Sequence, residues 1–336
     1  MRLFSLILFF SLLSCSSSDN GEYISGFTMG TTYSVQWAPS SHSNSFDPDK
    51  LQEQIDTRLD EINQLMSTYD STSQLSKVNQ SYKSGWHNVD EELAMLLDTA
   101  LEICEQSQGA FDITAGPLIA LWGFGSDDTR FSPPTQTELD IVSQNIGCQY
   151  LNVRKQPPAI YKNHQDTVID LSAIAKGYAV DQLAEILDAS GMNNYLIEIG
   201  GELRAKGLAP HGEFWRIGIE APNPGRAQVN DILSLNNVAV ATSGNYRNYF
   251  EHEGIRYSHI IDPRIGMPIR HKLSSVTVIH ENAAMADAWA TALLVLGPNE
   301  ALAIADRYGL AIYMITEETN GTKSTYNKRM EPYIVR

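Results

Sequence analysis

In "MADAWATALL", residues 285 to 294, Asp287 and Thr291 stand four positions apart. On an α-helix that spacing projects a carboxylate and a hydroxyl from one face. Both are hard oxygen donors, the kind Mg2+ takes while keeping coordination positions for water and phosphate oxygens. The plainer alternative is a threonine bonded back to the preceding turn beside a solvated aspartate. A second stretch, "DLSAIAKGYAVD", residues 170 to 181, puts Asp170, Ser172, Ala173, Lys176 and Gly177 around a helix start. With Ser172 as N-cap, the free amides and dipole of the first turn favour an anion, and Lys176 adds charge that the helix itself does not want there. Gly177 is less favourable than Ala in a helix by about 1 kcal/mol, so another backbone or a ligand is expected to approach it closely. Gly200-Gly201 either lets a polyphosphate or a flat ring lie on the main chain or forms a bulge. His259, in "YSHIIDPRIG", is the best-placed general base, with a packed structural histidine as the alternative.

Positioning such groups requires several elements. "YISGFTMGTTYSVQW" has β-type content broken by Gly30, and "DPDKLQEQIDTRLDEINQLMS" follows as a helix with Ile55, Leu59, Ile62 and Leu65 on one stripe. A second helix, about residues 89 to 107, ends before Gly109. The loop "GAFDITAGPLIALWGFG" after it is too apolar to face solvent throughout. Residues 126 to 167 read as a polar excursion of low functional content, with a short helix near Thr135 to Asn145 and a small hairpin. A helix from Ser172 to Ala189 stops at Gly191, and "NYLIEI" and "ELRAKG" flank the glycine pair as strands. "WRIGIEA", "VAVAT", "RYSHIID" and "SSVTVIH" are further strands; the helix carrying Asp287 closes at Gly297-Pro298, and a terminal hairpin turns at Asn320-Gly321. This order predicts an α+β fold in one continuous body from residue 23 to 336.

The 336 residues, 43% hydrophobic, suit a globular protein with a proper core. A net charge of -16 argues against nucleic acid as partner, since duplex and anionic surface alike would repel it. Residues 1 to 14, with Arg2 and an apolar run from Leu3 to Leu13, read as an export signal too short to span a bilayer. Its end, "LLSC", resembles a lipoprotein cleavage box that would free Cys15 for lipidation, followed by a polar linker through residue 22; an ordinary secretory signal is the alternative. Cys104 continues the apolar face of Leu93, Leu97 and Leu101, so it is expected to be a buried inert thiol rather than bridged to Cys148.

Seven stretches in order, "FTMGTTYSV", "MSTYDSTSQLSKVN", "GAFDITAGPLIALWGFG", "DLSAIAKGYAVD", "IEIGGELRAKG", "SHIIDPRIGMPI" and "ADAWATALLVLG", resemble the ApbE family of FAD:protein FMN transferases. The resemblance runs from about Gly26 to Ile315. It implies a T-fold-like architecture of mixed or antiparallel sheets with packed helices. It further implies a lipid-anchored, periplasm-facing enzyme that uses Mg2+ to cleave FAD, joins FMN to a threonine of an acceptor flavoprotein, and releases AMP. By motif position, Met29, Tyr69, Ala110, Phe111, Asp112, Asp170, Lys176 and Ile261 match FAD contacts, with Gly200 and Gly201 beside the phosphates. The Ala173 carbonyl, Asp287 and Thr291 match metal ligands, and His259 a histidine near the phosphates; His259 or Asp287 would serve as the base. The sequence departs from the family at Ile265, where a threonine is usual, and at Ala290, where some members carry a second carboxylate. Two rivals stay open: an FAD pyrophosphatase releasing free FMN, against which Tyr69 speaks, and a flavin-binding lipoprotein without turnover, against which Asp287 and Thr291 speak.

Overall fold

The computed structural model describes residues 21–38, 47–125, 130–222 and 228–336. The expected signal segment, Cys15 and most of the linker lie outside the described residues. Among the described residues, no helix is long and apolar enough to cross a membrane.

The expected α+β class is borne out. Eight strands form one sheet: β1 (Glu22–Thr28), β2 (Thr31–Trp37), β3 (Tyr195–Ile199), β4 (Glu202–Lys206), β5 (Val238–Gly244), β6 (Leu273–His280), β7 (Ala311–Glu318) and β8 (Gly321–Tyr326). Their spatial order is their chain order and every neighbouring pair is antiparallel. Alternation along a strand sends successive side chains to opposite faces. On β7, Ile312 and Met314 therefore join the main core while Ala311, Tyr313 and Ile315 join a second one. The strand β6, sandwiched between the two, is buried along nearly its whole length.

Helices cover the first face. α1 (Pro48–Met66) is capped by Asp47, whose side chain accepts from the Asp49 and Lys50 amides, and buries Leu51, Ile55, Leu59, Ile62 and Met66. α2 (Glu91–Gln106) starts at the Asp90 cap. α3 (Ala175–Ala189) and α4 (Ala283–Leu296) pack on each other and on the central strands. The hairpin of Trp215–Glu220 with Val229–Leu235 covers the other face through Trp215, Ile219, Leu233 and Leu235. A third small cluster joins Leu118, Trp122 and Leu139 to Phe250, Tyr257 and Ile261.

The approach expected at Gly177 is made by backbone. A Cβ there would stand 2.3 Å from the Ala283 carbonyl oxygen and 2.8 Å from Ala284 Cα. The crossing of α3 and α4 thus depends on a missing methyl. G177A is expected to lower unfolding free energy by about 1–3 kcal/mol through overpacking, read as the urea midpoint at unchanged slope.

Two expectations are corrected. Ser172 does not cap α3: the helix begins at Ala175, and Ser172 instead gives its amide and hydroxyl to Asp170 Oδ1, at 2.8 and 2.5 Å. The local Asx turn satisfies Ser172 before a helical turn can form. Cys104 is buried as expected, yet it is bonded to Cys148, 44 residues on, in a disulfide. Helical periodicity places Cys104 on the inner face of α2, but only the packing of α2 against the Cys148–Tyr150 turn and Leu151–Lys155 brings the second sulfur to it. Closing a loop of 44 residues restricts the unfolded chain by about 4 kcal/mol. A C104S/C148S double variant is accordingly expected to unfold at clearly lower urea, with a native far-UV circular dichroism spectrum at none.

Candidate active site

A cleft of about 910 Å³ opens where the three clusters meet, with Phe111, Leu233 and Ile261 contributed by one cluster each. That is the upper range of small-molecule pockets, large enough for a dinucleotide. One wall is the start of α3 and the inward face of α4, and the glycine turn between β3 and β4 stands beside them. Ala173, Lys176, Gly200, Gly201, Asp287 and Thr291 all line the cleft, as do Tyr69, Ala110, Phe111, Asp112, Asp170, His259 and Ile261. The sequence thus brings every residue expected to contact FAD or metal, but one, to a single cavity. Met29 is the exception: it lies on the turn between β1 and β2 at φ 49° and packs against the main core. Ile265 is exposed and does not line the cleft, so the departure from threonine there changes a turn surface.

Asp287 and Thr291 face the same way from α4, as their spacing predicts. Asp287 is 4% exposed, and its Oδ2 accepts one neutral donor, the Gly177 amide, at 3.1 Å. The close crossing at Gly177 therefore also supplies this hydrogen bond. Thr291 Oγ1 lies 3.1 Å from Ser243 Oγ on β5. Across the cleft floor, Glu202 at the start of β4 holds Lys176 Nζ at 2.6 Å through Oε1, while its buried Oε2 has no partner.

The charges here do not balance. Burial raises the Asp287 carboxyl, with Lys176 and the Gly177 amide opposing. Burial first, then the Asp287 charge, pushes Glu202 up to about 8. Burial alone would lower Lys176, but Asp287 and Glu202 outweigh it and keep the ammonium charged. Were both carboxyls ionised they would share one ammonium, and the upward shifts mean that the metal-free cleft holds a proton where a cation could offset the charge instead. The Asp287 carboxyl and the Thr291 hydroxyl, in a cleft that Ala173 also lines, are hard oxygen donors of the kind Mg2+ takes.

The wall carrying Asp112 is fixed by hydrogen bonds. Asp112 Oδ1 accepts from the Thr114 amide at 2.8 Å and hydroxyl at 2.6 Å, and the Cys148 amide adds a third bond. Burial raises this carboxyl against those bonds. Thr114 Oγ1 in turn accepts the Gly147 amide at 2.7 Å. The polar excursion at 126 to 167 thus does bear on the site, contrary to expectation, by bracing this wall. A metal held by Cys104, Asp112 and Cys148 is ruled out because the disulfide consumes both thiols.

His259 Nδ1 lies 2.9 Å from the Asn248 carbonyl, which can only accept, so Nδ1 carries the proton and Nε2 is left as the free base. Burial lowers its pKa from 6.5, so the ring is neutral at neutral pH. Sequence reasoning passed over Glu202 and Ser243. The only hint of the first was a carboxylate directly after two glycines, and nothing distinguishes Ser243 without β5 lying against α4.

Fold and site together define an α+β protein with a dinucleotide-sized cleft lined by buried acids, a lysine and a glycine turn. The chain matches the model of the ApbE family over residues 29–314 and belongs to that family. It is 38% identical over 334 residues to the FAD:protein FMN transferase of Vibrio cholerae serotype O1, covering 99% of this chain and 98% of that one. To the FAD:protein FMN transferase of Escherichia coli K12 it is 39% identical over 314 residues, covering 93% and 89%. Among solved structures, the flavin transferase ApbE from Vibrio cholerae superposes with a TM-score of 0.85 at 37% identity, covering 93% of this chain and 99% of that chain. The apo flavinyl transferase ApbE of Pseudomonas stutzeri gives 0.85 at 36% identity, covering 93% and 96%.

Proposed function

We propose that this chain transfers FMN from FAD to a threonine of an acceptor flavoprotein, with Mg2+, and releases AMP. The observation that carries the reading is the meeting in one cleft of Asp287, Thr291, the Ala173 segment and Lys176 with Tyr69 and the braced Asp112 wall. Relatives 38% and 39% identical over most of their length are named FAD:protein FMN transferases. The Ala173 carbonyl, Asp287 and Thr291 would hold Mg2+, which when bound offsets charge on the pyrophosphate. Lys176 binds the same phosphates, beside a Gly200-Gly201 turn whose own amides are committed to Thr32 and Glu198, and Asp112, Phe111, Asp170 and Ile261 orient the flavin half. Tyr69, 77% exposed at the cleft mouth, is placed to stack on the ring and limit water access.

Phosphoryl transfer demands mainly positioning and charge compensation. His259 Nε2 takes the proton of the acceptor hydroxyl; that oxygen forms a bond to the FMN phosphorus as the anhydride bond to AMP breaks, and AMP leaves with the bridging oxygen. The acceptor is expected to be a membrane subunit of an electron-transfer complex, its threonine in a short Gly-containing motif, with the enzyme lipid-anchored through Cys15 and facing the periplasm.

The deciding experiment is incubation with FAD and Mg2+, with and without such an acceptor. Flavin fluorescence on the acceptor in a denaturing gel, with AMP formed only when the acceptor is present, is the expected result. Rapid release of FMN and AMP without acceptor would make the protein a pyrophosphatase instead.

A further inference from the structure

The floor of the cleft holds one ammonium and two carboxylates that compete for it. Lys176 could pair with either Asp287 or Glu202, since both act on it electrostatically. It pairs with Glu202, at 2.6 Å, and among the described residues no ion pair joins it to Asp287. Among the described residues, the Asp287 carboxylate keeps the Gly177 amide as its hydrogen-bond donor. Glu202 is well suited to hold the lysine: it is 4% exposed, it begins β4 immediately after a glycine turn, and its Oε2 is unpartnered, so nothing else draws the carboxylate away.

We infer that Glu202 is a positioning residue that keeps Lys176 off Asp287 and so reserves the Asp287 carboxylate for the cation. This rests on the reading of Asp287 and Thr291 as a Mg2+ pair. Without Glu202, the ammonium swings to the nearest remaining buried carboxylate, and an internal ion pair occupies the place of the metal. Such an outer partner typically governs metal affinity by about 10- to 100-fold. The lysine is then a phosphate ligand when held and an inhibitor of metal binding when released.

The test uses Mn2+ alone, titrated into the FAD-free protein and followed by loss of the free-ion electron paramagnetic resonance signal. E202Q is expected to weaken Mn2+ binding about tenfold or more. Removing the competitor as well, in K176M/E202Q, is expected to return affinity to within about threefold of the parent, a rescue that a merely structural role for Glu202 does not produce. Glu198 is a charge control, because it also acts on Lys176 electrostatically but its Oε1 is engaged by the Gly201 amide at 2.7 Å. E198Q is expected to change affinity less than about threefold, since it removes a more remote charge. Should E202Q not fold, K176M alone still decides, and is expected to bind Mn2+ at least as tightly as the parent. The inference is overturned if E202Q binds like the parent, if E198Q loses as much as E202Q, if the double variant stays weak, or if K176M loses binding. A parent protein that binds no Mn2+ sinks the cation reading itself, an outcome distinct from all of these.

Discussion

D287N is expected to lower kcat/KM for flavin transfer by about 10³-fold, the largest effect of any single substitution in the cleft. The amide keeps the shape and still accepts the Gly177 amide, so the crossing of α3 and α4 is preserved. What disappears is the charge that a cation needs. Because the carboxylate is buried and unfavourable there without a counter-ion, the metal-free variant is expected to unfold at the same or higher temperature than the parent. Loss of activity with retained stability separates a ligand from a structural aspartate. A D287N protein that transferred flavin at the parental rate in the presence of chelator would refute the cation reading.

H259A is expected to reduce kcat by about 10²- to 10⁴-fold and to abolish the acid limb of the pH profile. The sign follows from the shift. Burial lowers the imidazole below 6.5, so the neutral, proton-accepting form persists into mildly acidic solution. Activity of the parent should be flat around neutrality and fall as pH drops through that lowered value, when Nε2 acquires a proton and can no longer accept one from the acceptor hydroxyl. Measured rates of AMP release against pH, parent beside variant, decide the matter; a full rate with the same pH dependence in H259A would remove the histidine from the mechanism.

Features governed by local periodicity were legible in the sequence. Asp287 and Thr291 share a face because a helix repeats every 3.6 residues, and the terminal hairpin is present, although its two-residue turn is Thr319-Asn320, one residue earlier than expected, with Gly321 at φ 135° opening β8 opposite Glu318. Gly177 announced a close approach but not by what, since the neighbour is a backbone 106 residues further along. Ser172 misled because its hydroxyl donates to the neighbouring Asp170 instead of accepting from the helix amides. The Cys104–Cys148 bond and the Glu202–Lys176 pair were illegible for a common reason. Each depends on two elements meeting in space, and neither partner carries a local signature of the other.

The cleft draws its lining from Thr68 through Val295, across both sides of the sheet. No fragment of the polypeptide could therefore hold a nucleotide by itself, and a ligand bound there must act as a rivet through the entire molecule. Occupancy should consequently slow proteolysis at distant loops as much as at the cleft mouth, because loosening any one strip of lining means first letting the ligand go.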